Sequence, residues 1–315
     1  MKRAARSHLP VTAMSHPGMR GKNNEDRYGV SAFRMNRGDR QPALLAVLCD
    51  GIGGHRAGEV AAEIAVNRIS AVIEETGNEV APLDALQIAI QAASEAIYRQ
   101  AQANRHQEGM GATCVCAWII GRSLYLAGVG DTRAYLLRDS GIRQLTTDHT
   151  WVQEAIDKGV LTRQEAEGHP NTHVIRRFLG SPQPPVADLR LRLDDRESDQ
   201  AALANQGMTL QDGDLLLLCS DGLTDLVSDE EIAGALYSHP VEEAAAALIE
   251  LANSRGGHDN ITLVIIQVPH QARSGRRQRA GRILLGVLIL LAAGALAGWW
   301  LDRSATQPTP TLLQT

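Results

Sequence analysis

Four of the most apolar runs in this chain are each bounded at one end by an aspartate. ALLAVLC at 43–49 ends in Asp50, and LYLAGVG at 124–130 ends in Asp131. LLLLC at 215–219 is followed, one serine later, by Asp221, and ITLVIIQV at 261–268 is preceded by Asp259 and Asn260. Turn signals such as Gly121-Arg122-Ser123, Asp139-Ser140-Gly141 and Asp212-Gly213-Asp214 separate such runs and predict hairpins. A buried strand that ends in Asp delivers a carboxylate to one rim of a sheet. If the last strand runs antiparallel to the others, Asp259 at its start reaches the same rim. Asp225, four residues beyond Asp221, joins them. Crowded carboxylates raise one another's pKa and destabilise a fold unless something neutralises them. Hard divalent cations bound by oxygen do so. With no His or Cys cluster evident in the sequence, magnesium or manganese is favoured over zinc or copper. An Asp-Gly pair is by itself a turn dipeptide, but Asp50-Gly51, Gly130-Asp131 and Asp221-Gly222 all stand at strand ends.

Further strands are predicted at 112–120, 123–129, 133–138 and 187–193. Helices are predicted from 3.6-residue periodicity at 57–76 and 82–104, with shorter ones at 151–158 and 241–254. Strands in hairpin clusters and helices in pairs predict an α+β domain of antiparallel sheets with helices packed outside. The loop after Asp50, Gly51-Ile52-Gly53-Gly54-His55-Arg56-Ala57-Gly58, lies where a dinucleotide loop would sit. Its third glycine position is Arg56, however, and no P-loop lysine follows.

Charge separates the body of the chain from its end. Residues 1–272 hold 25 Lys and Arg against 35 Asp and Glu, while residues 273–315 hold 6 against 1. An acidic body with 3% aromatic residues disfavours nucleic acid as a partner. Cys49, Cys114, Cys116 and Cys219 all lie in or beside apolar runs, which predicts reduced core thiols rather than disulfides. Residues 1–10 are basic with no apolar segment behind them, and read as a disordered N-terminus rather than a signal peptide. Residues 283–301 (ILLGVLILLAAGALAGWWL) carry no charge. As a helix they extend about 28 Å, enough to cross a hydrocarbon core of ~30 Å. Arg273, Arg276, Arg277, Arg279 and Arg282 precede this run, and Arg303 alone among arginines follows it. The positive-inside rule then places the body in the cytoplasm, anchored in the inner membrane by a single span. The expected organisation is a folded domain at 11–269, an Arg-rich linker at 270–282, a membrane helix at 283–301 and an outer tail at 302–315.

Seven segments in order resemble the type 2C metal-dependent Ser/Thr protein phosphatases (the PPM family), in its bacterial branch. They are Asn24-Glu25-Asp26, DGIGGHRAGE at 50–59, GMGATC at 109–114, GVGDTRAY at 128–135, LTTDHT at 145–150, LLCSDGLTD at 217–225 and HDNITLVI at 258–265. The resemblance implies a sandwich of two antiparallel β-sheets flanked by helices, in α-β-β-α layers, with two Mn2+ or Mg2+ ions at one edge. It implies that Asp50 bridges both ions and that the Gly51 carbonyl binds one of them. Asp221 and Asp259 bind the other, and Glu25 and Asp26 complete the second site directly or through water. Asp131 and Asp225, with Asp221, match the positions of a third, weaker ion. The implied reaction is hydrolysis of phosphoserine and phosphothreonine by a hydroxide bridging the two metals, with phosphorylated proteins as substrates and a bacterial Ser/Thr kinase as the opposing partner. A catalytically silent phosphoprotein-binding scaffold of the same fold is the alternative, though no metal aspartate is missing. A phosphorylated anti-sigma-factor antagonist is an alternative substrate.

Two positions depart from the family pattern. The phosphate-holding arginine is expected where this chain has Gly21, leaving Arg20 or Lys22 as candidates. The histidine that animal relatives carry two residues after the bridging aspartate is here Ile52, with His55 nearby, so the acid that protonates the leaving group is unassigned. Residues 146–180 correspond to the family's flap. Their charge reads either as protein-substrate recognition or as a solvated helix pair.

Overall fold

Strand β4 (Pro42–Cys49) shows why this chain folds in layers. Its residues alternate between two buried faces. Leu44, Ala46 and Leu48 enter a core between two sheets, whereas Ala43, Leu45, Val47 and Cys49 enter a second core beneath a pair of helices. A strand covered on both faces reads as a continuous apolar run, which is why periodicity alone does not reveal its alternation. The computed structural model describes residues 1–270 except 22, 37–39, 53–56 and 167, together with Leu296.

The first sheet runs in the order β1 (Lys2–Arg3), β3 (Arg27–Arg34), β4, β7 (Cys114–Ile120), β8 (Ser123–Val129) and β11 (Met208–Thr209), every neighbour antiparallel. The second runs β10 (Gly141–Gln144), β9 (Arg133–Arg138), β12 (Leu215–Cys219), β13 (Ile261–Gln267) and β2 (Val11–His16), again antiparallel throughout. A two-stranded ribbon joins β5 (Gly51–Ile52) to β6 (Gly111–Ala112). Helices α1 (Gly58–Thr76) and α2 (Pro82–Ala103) cover the outer face of the first sheet, and α7 (Asp229–Ser238) and α8 (Val241–Ser254) that of the second. Shorter helices are α3 (Trp151–Asp157), α4 (Arg163–Ala166), α5 (Asp199–Ala204) and α6 (Asp221–Thr224). The α-β-β-α sandwich is the layering expected, and all four cysteines are free and buried in it.

Several expectations need correction. Residues 1–10 are not disordered: β1 pairs with β3, the terminal ammonium donates to the Glu74 carbonyl at 2.9 Å, and Leu9 is buried. The segment 187–193 is not a strand. Side chains and a helix take its backbone groups: Asn205 and Gln206 amides donate to the Leu191 and Leu189 carbonyls, and the Leu191 N–H donates to the Ala202 carbonyl. Asp212-Gly213-Asp214 closes no hairpin, because β11 and β12 belong to different sheets. Strands β2, β3 and β10 were not expected, being partly exposed and only sparsely apolar. The chain divides into units at Met1–Pro269 and His270–Thr315. The expected linker, membrane helix and tail fall outside the described residues apart from His270 and Leu296. Among the described residues, no helix is long and apolar enough to cross a membrane.

Candidate metal centre

Antiparallel pairing brings the ends of eight strands to one edge of the sandwich. Register places Arg27 opposite Cys49 and Cys114 opposite Val129 in the first sheet. In the second, Arg133 and Leu263 both face Cys219, and Ile261 faces His16. The residue just before or just beyond each of these positions is therefore at the same rim. Asp26 precedes β3, Asp50 follows β4, Asp131 follows β8 after one glycine, Asp221 follows β12 after one serine, and Asp259 precedes β13 after one asparagine.

The carboxylates sense one another. Burial, followed by the charges of Asp26, Asp221, Asp131 and Asp259, pushes the Asp50 carboxyl well above the usual range. Burial pushes Asp26 up to about 7, with Asp221 and Asp259 adding to the effect against hydrogen bonds from Thr262 and Ser220. Asp221 is raised by burial and then by Asp259, Asp131 by burial and then by Asp221, and Asp225 by burial and then by Asp221 to about 6. The nearby guanidinium of Arg133 is already committed to Asp148, at 2.7 Å, and to the Tyr135 hydroxyl.

Tight backbone approaches hold the arrangement. A methyl group on Gly222 would lie 2.1 Å from the Asn260 carbonyl oxygen, so α6 can pack against the start of β13 only without a side chain here. Similarly, a methyl group on Gly51 would meet the Gly58 carbonyl at 2.3 Å, and one on Gly58 would meet the Glu25 carboxyl at 2.8 Å. Glu25 therefore lies directly beside Gly51. The Asn260 side chain accepts from the Glu25 N–H at 2.7 Å and donates to the Pro17 and Asn23 carbonyls at 3.1 and 3.2 Å, tying the loop before β3 to the start of β13. The Ser220 hydroxyl donates to Asp26 Oδ2 at 2.8 Å. Asp26 Oδ1 and Asp221 Oδ1 are buried with no hydrogen-bond partner. Buried acceptors left orphaned among crowded carboxylates, in an all-oxygen donor set, fit hard divalent cations.

Arg20 is exposed at the mouth of this rim, its Nη2 3.1 Å from Nδ1 of His258, the neighbour of Asp259. Lys22 and His55 lie outside the described residues. Sequence reasoning passed over two histidines. His149 is buried: its Nδ1 accepts from the Gly130 N–H at 3.0 Å, which leaves Nε2 to donate to Asp188 at 3.2 Å. It thereby pins the turn that carries Asp131. His173 lies 3.4 Å from Asp225, a single histidine beside the carboxylates rather than a cluster of them. Its neighbours in sequence gave no periodic or spacing signal; only the path of the flap brings it there. A cavity of about 210 Å³ lies between, lined by Asp131, Asp221, Asp225, Thr172 and His173 among others.

A two-sheet sandwich with buried carboxylates gathered at one edge has the donor set of a divalent-cation site. Residues 18–260 match the family model described as Protein phosphatase 2C, and the chain belongs to that family. PstP, a serine/threonine protein phosphatase of Mycobacterium tuberculosis, is 37% identical over 263 residues, 82% of this chain and 45% of that protein. The chain thus spans about half the length of that relative. Stp, a serine/threonine phosphatase of Listeria innocua, is 35% identical over 249 residues, 78% of this chain and 90% of that protein. The crystal structure of the PstP catalytic domain in complex with two manganese ions superposes with a TM-score of 0.65 at 35% identity, covering 83% of this chain and 98% of that one. The catalytic domain is that of a metal-dependent Ser/Thr protein phosphatase.

Proposed function

We propose that the whole protein hydrolyses phosphoserine and phosphothreonine in proteins, opposing a bacterial Ser/Thr kinase from the inner membrane. The observation that carries the reading is the gathering of Asp26, Asp50, Asp131, Asp221 and Asp259 at one rim, with the buried Oδ1 atoms of Asp26 and Asp221 unpartnered. Two Mn2+ or Mg2+ ions bound there supply an activated water nucleophile and neutralise charge on the phosphoryl oxygens. Asp50 would serve both ions, Gly51, Glu25 and Asp26 one of them and Asp221 and Asp259 the other, with Asp131 and Asp225 bordering a third position. The Ser220 hydroxyl and Asn260 amide hold Asp26 and Glu25 in place, which keeps the donors preorganised. Arg20, exposed beside His258, would meet the phosphate of an incoming substrate.

The apolar run at 283–301 supports a single membrane span, with the arginines of 270–282 against anionic headgroups and the catalytic domain on the cytoplasmic side. Carbonate washing of membranes tests the anchor: the chain should stay in the pellet, and release into the supernatant would refute the span. For the activity, the detergent-purified chain is assayed on p-nitrophenyl phosphate and a phosphothreonine peptide with manganese, with magnesium and with chelator. Metal-dependent phosphate release is expected. A folded, manganese-binding chain that releases none would point instead to a phosphoprotein-binding scaffold.

A further inference from the structure

Strand β2 is an edge of the second sheet and carries none of the usual guards of an edge. It pairs with β13 at six successive positions, from Val11 opposite Ile266 to His16 opposite Ile261. Its sequence, VTAMSH, holds no Lys, Arg, Asp, Glu or Pro. Edge strands are commonly blunted by a charge, a proline or a bulge, because their bare backbone groups recruit another strand. The register says which groups are bare. The Pro10 carbonyl accepts from the Gln267 N–H at 3.0 Å, so the ladder bonds to β13 fall at Pro10, Thr12, Met14 and His16. Val11, Ala13 and Ser15 therefore turn their N–H and C=O groups away from the sheet. The Ser15 and Thr262 hydroxyls, 2.7 Å apart, fit the closer side chains of such a non-hydrogen-bonded pair.

A groove of about 570 Å³ lies along this edge, lined by Ala13 and Met14 of β2, Tyr28 of β3, and Ile249 and Glu250 of α8 among others. Strand β3 leaves its own edge open here, since β1 pairs only with Phe33 and Arg34 at its far end, and Tyr28 and Val30 are 41% and 39% exposed. Ala13 packs into the core between the sheets and Met14 into the one beneath α8. A strand added to β2 would thus send alternate side chains toward Tyr28 and toward Ile249. The groove leads to the metal rim. Two residues beyond β2, a methyl group on Gly18 would lie 2.2 Å from the Asp259 carbonyl oxygen, and Arg20 follows at the mouth. His16 Nδ1 accepts from the Gly18 N–H at 3.0 Å and lies 3.2 Å from Asn253 Nδ2, which fastens that turn to α8. Among the described residues lining the groove there is a carboxylate, Glu250, and no lysine or arginine. Farther from the rim, Glu242 accepts from the Thr12 hydroxyl at 3.1 Å.

We propose that β2 is a docking edge for the phosphoprotein substrate, an extended segment of which adds as an antiparallel strand with its phosphoresidue at the metal rim. The proposal rests on the phosphatase reading above. Because β2 runs toward the rim, antiparallel addition sends the substrate chain away from it, and the residues C-terminal to the phosphoresidue lie along the groove. Main-chain bonds to Ala13 and Ser15 hold any sequence, whereas Tyr28 and Ile249 select apolar side chains and Glu250 and Glu242 select lysine or arginine. At about 3.4 Å per residue, the six residues of β2 match about six of substrate. Pairing of two β2 edges would bring the glutamates of two copies together, so the charge favours a basic partner over a second copy of this chain. The preferred substrate is an unfolded segment with basic and apolar residues after the phosphorylated one.

The test uses the full chain in detergent with saturating Mn2+ and two phosphothreonine peptides. The short one ends just after the phosphoresidue, and the long one continues for about ten residues rich in Val, Thr and Lys. In the wild type, kcat/KM for the long peptide should exceed that for the short one at least about tenfold. In Ala13→Pro, which removes an outward N–H and no ladder bond to β13, that ratio should fall toward unity. In Glu250→Lys, an exposed change that decides the matter if Ala13→Pro fails to fold, the ratio should fall about threefold. A long peptide with Glu in place of Lys should then recover it. A wild-type ratio near unity, or a ratio that neither variant moves, would overturn the proposal. A wild-type dimer in light scattering that Ala13→Pro dissociates would give the edge to a second copy and also overturn it. Fluorescence anisotropy of the labelled long peptide separates the two readings. Binding that both variants weaken, in a chain that releases no phosphate from p-nitrophenyl phosphate, would support the docking edge and refute the phosphatase reading. Equal release from both peptides would refute the docking edge alone.

Discussion

The metal rim and the flap lie against the same cavity but are built by opposite means. At the rim, Asp50, Asp131, Asp221 and Asp259 are placed by strands whose two faces are buried, so their positions follow from sheet register and from glycines that admit no side chain. In the flap, short helices and turns carry exposed polar side chains, and position follows from a few local contacts such as the Trp151–His169 stack. The rim is costly to alter because register, charge and packing coincide there. The flap is cheaper to alter, because its side chains are exposed and few contacts depend on them.

The largest effect should come from Asp50→Asn. Loss of the carboxylate proposed to serve both ions should remove several kcal/mol of transition-state stabilisation, so kcat/KM on a phosphothreonine peptide should fall at least about a thousandfold. If Arg176→Ala in the flap costs as much, the contrast between the two regions fails. Next is Gly222→Ala. A methyl group 2.1 Å from the Asn260 carbonyl forces α6 away from the start of β13, and urea unfolding should show a loss of about 3 kcal/mol or more.

The third prediction concerns pH in the absence of metal. Asp26 titrates near 7 and Asp225 near 6 in the folded chain, against an ordinary value of 3.8. Between these limits the folded state holds protons that the unfolded chain has already released. The stability they contribute is therefore present at low pH and lost as pH rises from about 4 to 7. In chelator, melting temperature should drop by roughly 5 °C or more between pH 5 and pH 7.5. Saturating manganese keeps the carboxylates ionised and should abolish that drop; a drop that persists would show that the rim binds no ion. The smallest effect is expected from Arg176→Ala, an exposed cation 3.6 Å from Glu154. It should change kcat/KM on a phosphopeptide by less than about tenfold and leave hydrolysis of p-nitrophenyl phosphate as it was.

The same contrast governs how much the sequence discloses. Asp50, Asp131, Asp221 and Asp259 were legible because a long apolar run ending in a charge is a physical contradiction that only a sheet rim resolves. The strands β4, β7, β8, β9, β12 and β13 were legible for the same reason. Strand β3 was not, since RYGVSAFR lies partly exposed and alternates only loosely. Helix α7 was missed although its signal was present: Ser228 and Glu231 form a reciprocal cap at its start. The segment at 187–193 misled because its apolar residues alternate as in a strand, while Asn205 and Gln206, distant in sequence, take its backbone carbonyls. His173 was invisible because a turn, unlike a strand, leaves no periodicity from which a side chain's direction can be read.

The most direct test of the whole account is phosphate release from a phosphothreonine peptide, measured against the number of Mn2+ ions bound per chain, with Asp221→Asn alongside. The account predicts no release from the stripped chain, onset once two ions are bound, and no onset in the variant. Release from the metal-free chain, or two bound ions with a folded chain and no release, would contradict it.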